Sequence, residues 1–212
     1  MLVSHEKKFI YLKCGKTAST STEAFLQPYC GDTQCRTNVT QVSTQGIVSH
    51  PFHPLPGTEF RAHMPAQELK SILGDDIWEG YYKFANVRNP FDTVVSQYFD
   101  QKPYYKEDLT FEVWWWEKRP RDDIIWNIIE INDCLVTDYV IRYETLLDDV
   151  ERVCELLEIN FDPTAFPQLR TTERPSRDGG KLPYQEVITD ALLIDDIRTV
   201  FERTCTKFGY DY

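Results

Sequence analysis

Phe9-Ile10-Tyr11-Leu12-Lys13-Cys14-Gly15-Lys16-Thr17-Ala18-Ser19-Thr20-Ser21 decides the fold. The first four residues are aromatic or aliphatic and read as a short buried strand. Gly15 marks a turn, and Thr17 to Leu26 is compatible with a helix. A helix that starts just beyond a strand offers unpaired backbone N–H groups and the positive end of a dipole. Lys16 and the hydroxyls of Thr17, Ser19, Thr20 and Ser21 add donors around an oxyanion, so the turn is a candidate phosphate cradle with Gly15 and Ala18 in its backbone. The alternative is a Ser/Thr-rich helix start that merely caps itself.

Outward from this turn, strands alternate with helices. From Pro28 to about Arg61 the composition turns to Gly, Thr, Ser, Pro and Gln, read as loop with one short strand near Gly46 to Ser49. Pro65 to Leu73 reads as a helix ended by Gly74, and Tyr82 to Val87 as a second buried strand. Asn89 then caps a helix whose first residue is Pro90 and which runs to about Asp100. Helical patches follow at Thr110 to Lys118 and Asp123 to Ile131. A strand at Tyr139 to Ile141 leads into a helix carrying Leu146, Val150, Val153 and Leu157, and one long helix spans Tyr184 to about Phe208. The alternation predicts a three-layer α/β/α domain with a central parallel sheet, occupying the whole chain as one unit.

A second candidate lies in Val87-Arg88-Asn89-Pro90-Phe91-Asp92-Thr93-Val94-Val95-Ser96. Arg88 leaves a strand just before a helix and Ser96 lies about two turns along it, so a guanidinium and a hydroxyl are available for a second phosphate. Gln168 to Pro183 is a third region, carrying Arg170, Arg174, Arg177 and Lys181 against only Glu173 and Asp178. It stands out in a chain of net charge −11.

Together these stretches resemble the PAPS-dependent sulfotransferase family, in particular its carbohydrate-type and small bacterial members; PAPS is 3'-phosphoadenosine-5'-phosphosulfate. Lys16-Thr17-Ala18-Ser19-Thr20-Ser21 looks like the family's 5'-phosphosulfate loop, and Arg88 with Ser96 like its 3'-phosphate motif. Arg142-Tyr143-Glu144 is similar to the next landmark, whose tyrosine lies near the adenine. The sequence departs from the pattern at Ser19, where glycine is usual, and at Cys14-Gly15, where Ile-Pro is usual. The resemblance implies a P-loop-like PAPS sulfotransferase fold, a basic segment including Arg174, Ser176, Arg177 and Lys181 that covers the nucleotide, and acceptor recognition by the variable stretches 28–60 and 101–135. It also implies transfer of a sulfuryl group to a hydroxyl or amine, with release of 3'-phosphoadenosine-5'-phosphate (PAP).

Such a transfer needs stabilisation of charge on the leaving oxygens, a task for which Lys16 is placed, and a base for the acceptor proton. His63, just before a helix and at the position the resemblance marks, is the first candidate. His50, His53, Glu23 and Glu59 are alternatives, and His53 is also assigned to acceptor binding. Trp114-Trp115-Trp116 cannot all face one core on a helix, and Trp115 is assigned to the wall of the acceptor site. No metal is expected.

The acidity argues against nucleic acid and polyanionic acceptors. It leaves a small acceptor such as a carbohydrate or a cationic guanidinium alkaloid. Met1 to Lys8 reads as a polar start without a secretory apolar run, and no stretch is long enough to span a bilayer. The expectation is a cytoplasmic protein off the membrane, monomer or homodimer, with six free thiols and no disulfides.

Two other functions remain open on the sequence. A nucleotide or small-molecule kinase would need a glycine at position 10, where Ile10 stands, and a magnesium-holding aspartate after a strand. A non-catalytic nucleotide-binding module would keep the fold without the chemistry.

Overall fold

A computed structural model describes residues 1–31, 40–49, 59–105, 109–169, 174–177 and 180–212. In chain order its strands are β1 (Leu2–Ser4), β2 (Phe9–Leu12), β3 (Gln41–Val42), β4 (Gly46–Val48), β5 (Tyr82–Val87), β6 (Glu130–Ile131), β7 (Cys134–Leu135), β8 (Tyr139–Arg142), β9 (Ser176–Arg177) and β10 (Gly180–Lys181). Its helices are α1 (Ser19–Leu26), α2 (Ala66–Leu73), α3 (Asp75–Gly80), α4 (Pro90–Gln101), α5 (Phe111–Lys118), α6 (Asp123–Ile129), α7 (Leu146–Leu156), α8 (Tyr184–Val187), α9 (Ala191–Val200) and α10 (Glu202–Phe208). The chain divides into two compact units, Met1–Val87 with Ile125–Leu169, and Arg88–Ile124 with Arg170–Tyr212. No helix among the described residues is long and apolar enough to cross a membrane.

The first unit is built on a sheet of order β3-β4-β1-β2-β5-β8. The expected parallel core is there: Phe9 pairs with Tyr82 and Phe84 with Tyr139 in parallel register. The sheet as a whole is mixed, however, because β1 runs antiparallel to both β2 and β4. Met1 to Lys8, read from the sequence as a polar start, supplies a buried strand. Leu2 and Val3 are fully buried, and the four residues between Ser4 and Phe9 are too few for a crossover, so β1 can pair with β2 only as a hairpin. At Gly46 a Cβ would stand 2.0 Å from the Val3 carbonyl oxygen, which only glycine allows.

Phe9, Tyr11, Phe84 and Ile141 pack one face of this sheet with Leu26 of α1 and with Val150, Val153 and Cys154 of α7. Each such side chain contributes roughly 1.5–3 kcal/mol when fully buried. The spacing that predicted α7 is thus the spacing of its core face. The stretch expected to be helical to Ile131 stops at Ile129. Asn132 and Asp133, both at positive φ (51° and 61°), form the two-residue turn that pairs β6 with β7.

In the second unit, Asn89 caps α4 as the sequence predicts, its side chain accepting from the Phe91 amide at 2.9 Å. Phe91, Val94, Val95 and Phe99 pack with Phe111, Trp114 and Trp115 of α5 and with Ile188, Leu193 and Ile197. The single long helix expected from Tyr184 to Phe208 is three helices. Asp190 caps the second by accepting from the Leu192 and Leu193 amides, and Phe201 separates it from the third. The apolar stripe runs on across both breaks, so periodicity alone could not see them. Cys14, Cys30, Cys154 and Cys205 are buried free thiols, Cys134 is an exposed one, and Cys35 lies outside the described residues.

Candidate functional site

Between β2 and α1 the chain makes a turn that the residues themselves resist. Lys16 and Ala18 adopt left-handed backbone (φ 62° and 61°), a conformation that costs a non-glycine residue about 1–2 kcal/mol. As a result α1 begins at Ser19 rather than Thr17, with left-handed Ala18 as its N-cap and no side chain capping it. The hydroxyls that would normally cap are used otherwise. Thr17 Oγ1 donates to the Cys14 carbonyl at 3.2 Å, and Ser21 Oγ accepts from the Leu169 amide at 3.0 Å. A self-capping start is therefore not what this segment forms. Gly15 is exposed, with nothing within 4 Å of where a Cβ would stand. Burial pushes the neighbouring Cys14 thiol up to about 12, so it is no thiolate nucleophile.

His63 reaches this turn. Its Nδ1 lies 2.8 Å from the Lys13 carbonyl oxygen, and since a carbonyl only accepts, Nδ1 carries the proton and the lone pair sits on Nε2. Burial, with the Lys13 charge next, lowers its pKa to about 4. The Lys13 ammonium pairs with Glu23, which is 2% exposed and 3.5 Å from the Met1 nitrogen. Glu23 is thus committed to a buried ion pair, while Glu59 is exposed. Tyr143 follows β8 in a short 3-10 turn and is half-buried. His50 and His53 lie outside the described residues.

In the second unit Arg88 and Arg174 are buried and share one carboxylate. Arg88 Nε and Nη2 donate to Asp92 Oδ2 at 2.8 and 2.5 Å, and Arg174 Nη1 donates to Asp92 Oδ1 at 2.5 Å. Arg174 Nε also donates to the Leu182 carbonyl. Burial by itself would raise the Asp92 pKa, but Arg88 and Arg174 outweigh it and hold the carboxyl below its usual range. Ser96 is buried along α4. Ser176 and Lys181 are opposite one another in the β9–β10 ribbon and both exposed; Arg177 pairs with Gly180.

One assignment is corrected. Trp115 does not line an open wall: it is fully buried against Phe201 and donates its indole N–H to Asp196 at 2.7 Å. Trp116 is the exposed member of the run, and the Arg119 guanidinium already lies 4.8 Å from its ring centroid. That tryptophans would point inward from α5 was foreseeable; that they are Trp114 and Trp115, with Trp116 left outside, was decided by the packing.

Asp92 and Asn86, which hold these two candidate clusters together, were missed by the sequence reading. Asp92, in the first turn of α4, pairs with Arg88 just before that helix, and an acidic residue so close after a basic one is the signal that could have found it. Asn86 is the polar residue at the interior end of the apolar strand Phe84 to Val87, and it hydrogen-bonds the turn at Thr17.

The family model described as "Sulfotransferase family" matches residues 1–211, and the chain belongs to that family. A comparison with curated proteins finds no match.

Proposed function

From that membership we propose that the chain transfers a sulfuryl group from PAPS to a hydroxyl or amine of a small acceptor and releases PAP. The observation that carries this reading is the uncapped start of α1, held in left-handed backbone at Lys16 and Ala18 beside a lysine side chain. Strain of this kind persists where an anion is to be met by backbone N–H groups. In this reading the turn Gly15 to Ser21 takes the 5'-phosphosulfate. Arg88, Ser96 and the basic segment with Arg174, Ser176, Arg177 and Lys181 take the 3'-phosphate, and Tyr143 serves the adenine.

During transfer the bond from sulfur to the leaving phosphate oxygen breaks as the acceptor oxygen or nitrogen bonds to sulfur. Lys16 meets the charge left on the phosphate, and the acceptor proton passes to His63 Nε2. The Lys13 carbonyl favours that outcome by fixing the tautomer. The low pKa of His63 keeps it neutral near pH 7, and the negative charge of a bound phosphosulfate raises its basicity where it is needed.

The net charge of −11 supports a neutral or cationic acceptor, a carbohydrate or a guanidinium-bearing natural product. Calorimetry tests the donor reading: PAP binds tightly without magnesium, and magnesium-dependent ATP binding alone would instead mark a kinase. A His63→Ala variant that binds PAP normally and loses about 10²-fold or more in turnover fits a base. Undiminished turnover removes His63 from the role.

A further inference from the structure

Asn86 is fully buried at the interior end of β5. Its amide can face only one way. Thr17 presents a carbonyl 3.2 Å away, which only accepts, so Nδ2 faces it. The second Nδ2 hydrogen goes to Thr22 Oγ1 at 3.0 Å, and Oδ1 accepts from the Tyr11 hydroxyl at 2.8 Å. Thr22 Oγ1 in turn stands 3.5 Å from the Ala18 carbonyl, which also accepts the Ser21 and Thr22 amides. The carbonyls of Thr17 and Ala18 are thus both engaged on the protein side of the turn.

No peptide bond here is cis, and in a trans peptide the C=O and the following N–H point in opposite directions. With the Thr17 carbonyl held by Asn86, the Ala18 N–H is directed away from it, out of the core. The reverse orientation would aim the negative end of that peptide outward and leave an Asn86 hydrogen without its acceptor inside the protein. Lys16 and Ala18, on either side of Thr17, are left-handed, and nothing in their own side chains favours that backbone.

We infer that Asn86 is a positioning residue of the anion site: it fixes the Thr17–Ala18 peptide so that the Ala18 N–H serves as a donor to the 5'-phosphosulfate. This deepens the PAPS reading and rests on it. Asn86 touches no substrate; it acts through the turn.

The test is calorimetric titration, without magnesium, of adenosine 3',5'-bisphosphate and adenosine 3'-monophosphate into the wild-type chain and Asn86→Asp. Aspartate keeps the shape, but its carboxylate cannot donate to the Thr17 carbonyl. The expected result is bisphosphate binding weakened about tenfold or more, with the monophosphate unchanged within about twofold. A bisphosphate affinity that does not change, or an equal loss for both ligands, overturns the inference, the second because it marks only a general structural role. A wild-type chain that binds the two ligands alike overturns the donor reading itself. Should the aspartate variant not fold, Asn86→Ala, which adds no buried charge, is titrated with the same pair and judged by the same outcomes.

Discussion

In the proposed reading the turn at Lys16 to Ser21 and the cluster around Asp92 each take a phosphate, and they are held by opposite means. The turn is held by neutral hydrogen bonds, from Asn86 to the Thr17 carbonyl with Tyr11 and Thr22 engaging the rest of the Asn86 amide, and its backbone is strained. The cluster is fixed by ion pairs, two arginines on one carboxylate, and the aspartate stands in the first turn of α4. In that reading, peptide dipoles that cannot turn suit the end of the donor where a bond breaks, because in-line transfer rewards fixed geometry. Guanidinium forks suit an end that is only anchored, where affinity and planar recognition suffice.

The comparison breaks most easily at Asp92. Asp92→Asn leaves Arg88 and Arg174 buried without the carboxylate they share, and a loss of roughly 3–5 kcal/mol in urea-unfolding stability is expected. A loss under about 1 kcal/mol would put the cluster among surface-type ion pairs and end the contrast. Next in size is Lys16→Ala, which removes one charged donor from the turn. Turnover is expected to fall about 10²–10³-fold, while the melting temperature, followed by circular dichroism, stays near that of the wild-type chain because the side chain is only half-buried. Lost stability with retained turnover would reverse the two roles.

The smallest effect concerns pH and His63. Its pKa is about 4 in the folded chain against an ordinary value of 6.5. Between those values the unfolded chain binds the extra proton, so stability is fully present above pH 6.5 and falls as the pH drops towards 4, by up to about 3 kcal/mol. Asp92, whose pKa is also depressed, loses its contribution only below its ordinary value near 3.8, so the two windows separate. Denaturant titrations of the wild-type chain and His63→Gln across pH 4–7 read this directly. Parallel curves would show that His63 is not the group responsible.

Much of this was legible in the sequence because the signals are local. Tyr82 to Val87, the Asn89 cap with Pro90 behind it, and the core spacing of α7 each rest on a few neighbouring residues. The hairpin strand at Leu2 to Ser4 was missed because so short an apolar run carries no period. It exists because β4 and β2 take it up from either side. The breaks at Asp190 and Phe201 were missed because an apolar stripe can continue through an interrupted helix.

The same division holds for the site. Sequence alone determined which residue types surround the β2–α1 turn and which family the chain resembles, since composition and spacing are properties of the chain as written. Tertiary structure decided where those residues go: that no hydroxyl caps α1, that Trp115 is core and Trp116 surface, that Glu23 belongs to Lys13, and that one amide from a neighbouring strand donates to the Thr17 carbonyl. A side chain's partner is a matter of distance, and distances between residues 69 positions apart, as from Thr17 to Asn86, are set only when the strands pair.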